Sequence, residues 1–114
     1  ADAVDSSHVG ILYDTHHANI EEIDMGAAVV GLGSRINHFH VSESHRGTPG
    51  TGTVDWSAAF AGVAASEFDG WFVIEAFAGD VPGIAEAVNI WRDCFNNKEE
   101  VYRDGIALIK QHLF

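Results

Sequence analysis

Apolar residues recur along this chain in two rhythms. Short dense runs suit buried strands, and stretches where apolar positions return every third or fourth residue suit amphipathic helices. The dense runs are His8-Val9-Gly10-Ile11-Leu12-Tyr13, Ile36-Asn37-His38-Phe39 and Trp71-Phe72-Val73-Ile74, leading into Asp14, His40 and Glu75 respectively. After Asp14, the segment Thr15-His16-His17-Ala18-Asn19 leads to a helix expected over 21–32. Ile23, Ala27 and Val30 form its expected inner stripe, Glu21 and Glu22 suit its positive amino end, Asn19 caps it, and Gly31 and Gly33 mark its stop. A glycine-rich loop over 42–53 follows His40, and Asp55 then reads as the N-cap of a helix carrying Trp56, Phe60 and Val63 on one face. Asp69-Gly70 turns the chain into the third run. Beyond Glu75, Asp80 and Pro82 start a helix with Ile84, Val88 and Trp91 inside. Asn97 with Glu100 reads as a capping pair for a last helix that buries Tyr102, Ile106, Ile109 and Leu113.

Strand-helix units of this length require parallel pairing and right-handed crossovers. The expected fold class is therefore α/β, one domain over 1–114 made of parallel β/α units with about three strands and a terminal helix pair. Three strands cannot close a barrel. Two strand edges and part of the helices' inner faces would stay uncovered, so the architecture reads as part of a larger barrel, completed by chain before Ala1 or by another copy. The opening Ala1-Asp2-Ala3-Val4-Asp5-Ser6-Ser7 reads accordingly as the tail of a helix.

In parallel sheets of barrel and open α/β folds, ligands bind at the carboxyl ends of the strands. An Asp, a His and a Glu at three such ends offer oxygen and nitrogen donors without thiolate, a set suited to Mn²⁺, Mg²⁺, Co²⁺ or Zn²⁺. Taken singly, each has a blander reading: Asp14 caps a helix, His40 hydrogen-bonds in the core, and Glu75 pairs with an arginine. Their coincidence at three strand ends points to a site.

Composition narrows the chemistry. Seventeen acidic against six basic side chains leave a formal charge of −11, which repels phosphate backbones and anionic membranes. No apolar run is long enough to span a bilayer. Neutral sugars and cations are the compatible partners, with neither nucleic acid nor membrane expected. Five of the seven histidines (His16, His17, His38, His40 and His45) gather around the first two strand ends. The single Cys94 allows no intramolecular disulfide and fits a cytoplasmic location; its expected place is as a small apolar residue on a helix.

The residues around these strand ends carry a resemblance. Tyr13-Asp14-Thr15-His16-His17-Ala18-Asn19-Ile20-Glu21-Glu22 resembles the D-T-F-H-x-N-I-E-E segment of ketose 3-epimerases of the D-tagatose and D-psicose (allulose) type. Asn37-His38-Phe39-His40-Val41 with Glu43 and Arg46 resembles their G-H-F-H-x-x-E-x-x-R segment, and the stretch from Pro49 to Trp56 their P-G-x-G loop. Val73-Ile74-Glu75-Ala76-Phe77 is similar to their V-x-E-x-F strand end, and Trp91-Arg92-Asp93 to their W-R-D. The resemblance implies the C-terminal part, roughly three strand-helix units, of a xylose isomerase-like (β/α)₈ barrel in the sugar isomerase/epimerase superfamily.

Position by position, it implies Asp14, His40 and Glu75 as metal ligands, with Glu75 also an acid/base at the substrate's C3, and His17 and Arg46 as contacts to the ketose oxygens. The implied cofactor is a divalent metal, Mn²⁺ first, with Co²⁺, Mg²⁺ or Zn²⁺ also compatible. The implied reaction moves the C3 proton off and back through an enediolate. Two departures stand out. His16 occupies a position where the family commonly has Phe, and the family's fourth ligand and second acid/base, a Glu on an earlier strand, would lie before Ala1. The chain is therefore expected to be incomplete as a catalyst, and to form a homo-oligomer or associate with a missing N-terminal half. A non-catalytic half-barrel remnant that binds metal weakly, or serves only as an assembly module, is the alternative. A phosphodiesterase of the endonuclease IV type is disfavoured by the acidic charge.

Further residues have expected places. His38 shares a strand face with His40, where it supports a ligand or lines the pore, or packs in the core. Glu43 orients a ligand or Arg46, or is a solvated loop acid. His45 lies at the surface, Trp56, Trp71 and Trp91 pack in the core, and Phe77 lines the pocket.

Overall fold

The computed structural model describes residues 2–4 and 6–114. Asp2–Val4 form a short 3-10 turn, while Ala1 and Asp5 of the expected helix tail lie outside the described residues. Strand β1 covers Ile11–Asp14, β2 Ile36–Ser42 and β3 Trp71–Glu75. They form one parallel sheet in the order β1-β2-β3, so β1 and β3 each have one neighbour among the described residues. The fold is an open parallel β/α sheet covered by helices on one face, the arrangement of part of a (β/α) barrel.

Alternation decides which side chains meet the helices, because successive strand residues point to opposite faces. Tyr13, Phe39, Val41, Phe72 and Ile74 form the covered face. Phe39 is 0 % exposed and its ring lies 5.1 Å from that of Tyr13, 5.4 Å from Phe72 and 6.0 Å from Phe68. Burying one such side chain contributes about 1.5–3 kcal/mol, and this aromatic group is the centre of the core. The Tyr13 hydroxyl donates to the Met25 carbonyl. Burial, helped by the charge of Glu22, pushes its phenol up to about 12. On the opposite face stand Leu12, Asp14, His38, His40, Ser42, Trp71, Val73 and Glu75, all the polar strand-end residues together.

Helices α1 (Thr15–Glu21) and α2 (Met25–Leu32) replace the single helix expected over 21–32. The chain breaks at Glu22, and Asp24 caps α2 by accepting from the Ala27 amide. Asn19 therefore sits inside α1 and caps nothing. The buried face of α2 is Met25 and Val29, whereas Ile23 is fully exposed and Ala27 and Val30 are also exposed. Helix α3 (Trp56–Ala65) is as expected, with Asp55 at its cap and Trp56, Phe60 and Val63 buried. It packs on α2 so closely that a Cβ at Gly62 would lie 2.7 Å from the Gly26 carbonyl oxygen.

Helix α4 is only Ile84–Ala87, not the longer helix expected from Asp80 to Trp91. Asn89 adopts a left-handed φ of 58°, which ends the helix before Trp91 can join it. Ile90 is buried there in place of Ile84 and Trp91, and Cys94 is half-buried outside any helix. Helix α5 (Lys98–Leu113) has Asn97 as its cap, accepting from the Glu100 amide. Its inner face runs through Val101, Gly105, Leu108 and His112, with Ile109 and Leu113 at its margin, while Tyr102 and Ile106 are exposed. Of the three tryptophans only Trp56 is in the core; Trp71 and Trp91 are 76 % and 82 % exposed.

Candidate active site

Asp14 ends β1 and caps α1 with the same carboxylate. Oδ1 accepts from the amides of His16 (2.8 Å) and His17 (3.1 Å), which leaves Oδ2 facing His40 on the next strand. Register places Asp14 beside His40, since the two are paired between β1 and β2. Glu75 is paired with Ser42, two residues further along β2. At about 3.3 Å of rise per residue, its backbone stands roughly two steps beyond the level of His40. The longer Glu side chain reaches back across that step, bringing Oε1 to 3.2 Å from His40 Nδ1.

Asp14, His40 and Glu75 each thereby offer one atom to a cluster whose atoms lie within 4.8 Å of one another. The side chains are 9 %, 19 % and 22 % exposed, partly shielded but reachable from solvent. His40 Nδ1 lies 3.3 Å from Asp14 Oδ2 and 3.2 Å from Glu75 Oε1. An imidazole nitrogen carries at most one proton and can donate to only one of them. Two carboxylates and one nitrogen converging without enough protons to join them suit a shared cation. Ligands at about 2.1 Å from an octahedral divalent ion stand about 3 Å apart along each edge, close to these separations. The donor set and its spacing fit a hard or borderline divalent metal.

Arg46 adds a positive side chain. Its Nη1 donates to Glu75 Oε2 and lies 3.9 Å from Asp14 Oδ2, and Nη2 is 3.2 Å from His17 Nε2. Its guanidinium carbon stands 5.3 Å over the Phe77 ring, which places Phe77 at the site as expected. The two Glu75 oxygens are thus divided, with Oε1 turned to His40 and Oε2 held by Arg46 and by the Ser42 hydroxyl at 3.2 Å. His17, at the exposed rim, is brought to the site through Arg46. His38 shares the face of His40 with ring centroids 5.0 Å apart, one level below the cluster. His45 turns into its own loop, where Nδ1 accepts from the Gly47 amide and Nε2 meets the Thr51 hydroxyl.

His16, the departure from the family pattern, is half-buried with Nδ1 3.2 Å from the Glu43 carbonyl. Its pKa is lowered, first by burial and then by the positive charge of Arg46. Glu43 is neither solvated nor in contact with the metal-type cluster. It is 0 % exposed and holds the loop after β2 together by accepting from Ser44, Gly50, Val54 and Trp56. Burial alone would raise its carboxyl, but these hydrogen bonds outweigh it and hold the group below the usual carboxylate range.

Two supporting residues had escaped the reading of the strand ends. Thr15, fully buried, donates to the Ser42 carbonyl (2.7 Å) and accepts from the Ser42 amide (2.9 Å), tying the end of β1 to the end of β2. Ser42 then reaches Glu75. The period-two signal was available for Ser42, which lies two positions after His40 and so on the same face; Thr15 carried no such signal.

Residues 1–112 match the family described as xylose isomerase-like TIM barrel. The chain is 35 % identical over 108 residues to a ketose 3-epimerase of Arthrobacter globiformis, spanning 93 % of this chain and 37 % of the relative. It is 36 % identical over 117 residues to a D-psicose 3-epimerase of Enterocloster bolteae, spanning 99 % and 39 %. A crystal structure of a D-allulose 3-epimerase from Methylomonas sp. in complex with D-allulose superposes with a TM-score of 0.90 at 31 % identity, covering 97 % of this chain and 39 % of that one. The chain thus spans about two fifths of the length of the relatives it matches.

Proposed function

The chain belongs to the xylose isomerase-like TIM barrel family, and on that premise we propose that it carries part of the active site of a metal-dependent ketose 3-epimerase or related sugar isomerase. The observation that carries the reading is the convergence of Asp14, His40 and Glu75, with Arg46 beside them, at the carboxyl edge of the sheet. Asp14 Oδ2, His40 Nδ1 and Glu75 Oε1 are the atoms that would hold a divalent ion, Mn²⁺ first. When bound, such an ion supplies Lewis acidity toward the C2 carbonyl and C3 hydroxyl of an open-chain ketose. Glu75 accepts the C3 proton, and Ser42 and Arg46 fix the orientation of its carboxylate for that transfer. Arg46 and His17 hydrogen-bond the sugar oxygens near C1 and C2, and Phe77 supplies an apolar wall. Return of the proton from the opposite face requires a second acid, which the family resemblance assigns to a Glu on an earlier strand. The similarity to proteins named ketose and D-psicose 3-epimerases supports this substrate class.

Exposed apolar groups favour a second property, assembly. Leu12 and Trp71 are 53 % and 76 % exposed on the uncovered face of a sheet whose two edges are unpaired among the described residues. A second copy, or further β/α units of the same barrel, would cover them, and either would complete the site's far wall. A cytoplasmic location accords with the single unpaired Cys94. Among the described residues no helix is long and apolar enough to cross a membrane.

The test of function incubates D-fructose or D-tagatose with the protein and Mn²⁺ or Co²⁺ in deuterated water. Metal-dependent deuterium at C3, abolished by Glu75→Gln, is expected. With one acid/base carboxylate, the 114-residue chain should form the C3 epimer about 10²–10⁴-fold more slowly than an intact epimerase. Exchange that persists in Glu75→Gln contradicts the assignment.

A further inference from the structure

We propose that Glu43 is a positioning residue, whose buried carboxylate shapes the loop after β2 so that Arg46 is presented to Asp14, His40 and Glu75. The proposal rests on the reading of Arg46 as a ketose-binding residue, and its first readout is independent of that reading. A carboxylate at 0 % exposure is tolerated only when its lone pairs are used. Here Oε1 accepts from the amides of Ser44 (2.8 Å) and Val54 (3.2 Å). Oε2 accepts from the Gly50 amide (2.8 Å) and the Trp56 indole (3.0 Å). These donors come from the start, middle and end of the loop, so one side chain closes it into a ring. Gly52 lies against the same group, where a Cβ would stand 2.7 Å from Glu43 Cδ.

Arg46 sits inside that ring at φ 64°, a left-handed conformation uncommon for a residue with a side chain. Such backbone persists only where its surroundings impose it. The Arg46 amide donates to the Glu43 carbonyl at 2.9 Å, and the Arg46 carbonyl accepts from the Phe77 amide at 2.9 Å. The turn is thus fixed on one side by Glu43 and on the other by the segment after β3. The guanidinium emerges between Glu75 and His17 with its Nε buried and, among the described residues, without a hydrogen-bond partner. Asp14, His40 and Glu75 stand on strand ends outside the loop, so a change in the loop reaches them through the Arg46 guanidinium, and Arg46→Ala sets the limit of that effect.

The experiment compares Glu43→Gln with the parent protein. The variant is isosteric, but its amide nitrogen cannot accept from the donors on one side of the ring. The readouts are the Arg46 Nε–H resonance, the affinity for Co²⁺, and D-tagatose binding with Co²⁺ present. Expected are an Arg46 resonance moved toward that of a free guanidinium, unchanged amide shifts for Tyr13, Phe39 and Val73, and a Co²⁺ affinity altered no more than in Arg46→Ala, since the loop reaches the cluster only through Arg46. Tagatose affinity should fall about tenfold or more, as on losing a charge-assisted hydrogen bond. Adding Glu43→Gln to Arg46→Ala should cost no further tagatose affinity. An unmoved Arg46 resonance, or Co²⁺ binding weakened beyond that of Arg46→Ala, overturns the proposal. If the parent protein binds Co²⁺ but no ketose, the functional reading fails and the Arg46 resonance alone decides the positioning role. If Glu43→Gln does not fold, Trp56→Phe removes one donor to the same carboxylate. It should move the Arg46 resonance in the same direction by less, and an unmoved resonance there overturns the proposal.

Discussion

Replacing Thr15 by valine isolates the device that joins the first two strand ends. The substitution keeps the shape and removes one hydroxyl, which donates to the Ser42 carbonyl at 2.7 Å and accepts from the Ser42 amide at 2.9 Å. Thr15 and Ser42 are both 0 % exposed, so neither orphaned backbone group can turn to water. Each buried group left unsatisfied costs about 1–3 kcal/mol, and the pair gives roughly 2–4 kcal/mol after local adjustment. That is a large share of the ~5–15 kcal/mol by which a domain is stable. Urea unfolding followed by tryptophan fluorescence measures it, with Thr15→Ser as control. Serine keeps the hydroxyl and loses one methyl, so it should cost about 1 kcal/mol. A valine variant as stable as the serine variant would refute the reasoning and mean that Ser42 finds other partners. The same valine variant should also weaken metal binding, because Asp14 and His40 are held in register by this link.

Asp14→Asn should keep α1 capped, since asparagine caps as well as aspartate, and still lose metal affinity; Asp14→Ala should lose both, with about 1 kcal/mol of stability, as calorimetry and thermal unfolding can separate. Glu75→Asp should weaken metal binding measured by Mn²⁺ titration, because a shorter side chain cannot span the offset between Glu75 and His40 set by the β2–β3 register. The hydrogen bonds that depress the Glu43 carboxyl make its stabilisation complete above the unfolded value of about 4.3 and lost as pH falls through the lower folded value. The stability gap between the parent and Glu43→Gln in urea should therefore be constant near neutrality and narrow only below about pH 4. Trp71→Ser should change unfolding free energy by less than about 0.5 kcal/mol but reduce self-association seen by light scattering, because the indole is 76 % exposed on the open face.

The strand ends were legible because period two and a terminal polar residue need nothing beyond local sequence, and parallel pairing then puts Asp14, His40 and Glu75 on one edge. The helices were less so. Met25-Gly26-Ala27-Ala28-Val29-Val30-Gly31-Leu32 is apolar all round, so several stripes could be drawn through it. The choice between Val29 and Val30 is made by the close approach of Gly62 in α3. In α5 two stripes lie one residue apart, and contact of Gly105 with Ile74 selects the one through Val101. Trp71 reads as a core residue, yet it stands on the sheet face that nothing among the described residues covers. Orientation of Arg46 is one of the roles the sequence offers Glu43, but its hold on the loop was hidden because its four partners are spread from Ser44 to Trp56, three of them backbone amides that carry no mark in the side-chain sequence.

The central claim is that Asp14, His40 and Glu75 hold one divalent ion. Crystals grown with Mn²⁺ and measured at the manganese absorption edge test it directly. The account predicts one strong anomalous peak about 2.0–2.3 Å from Asp14 Oδ2, His40 Nδ1 and Glu75 Oε1, absent from His40→Ala crystals. A map with no peak there at saturating Mn²⁺, or with its strongest peak in the cleft lined by Asp80 and Asp93, would contradict it.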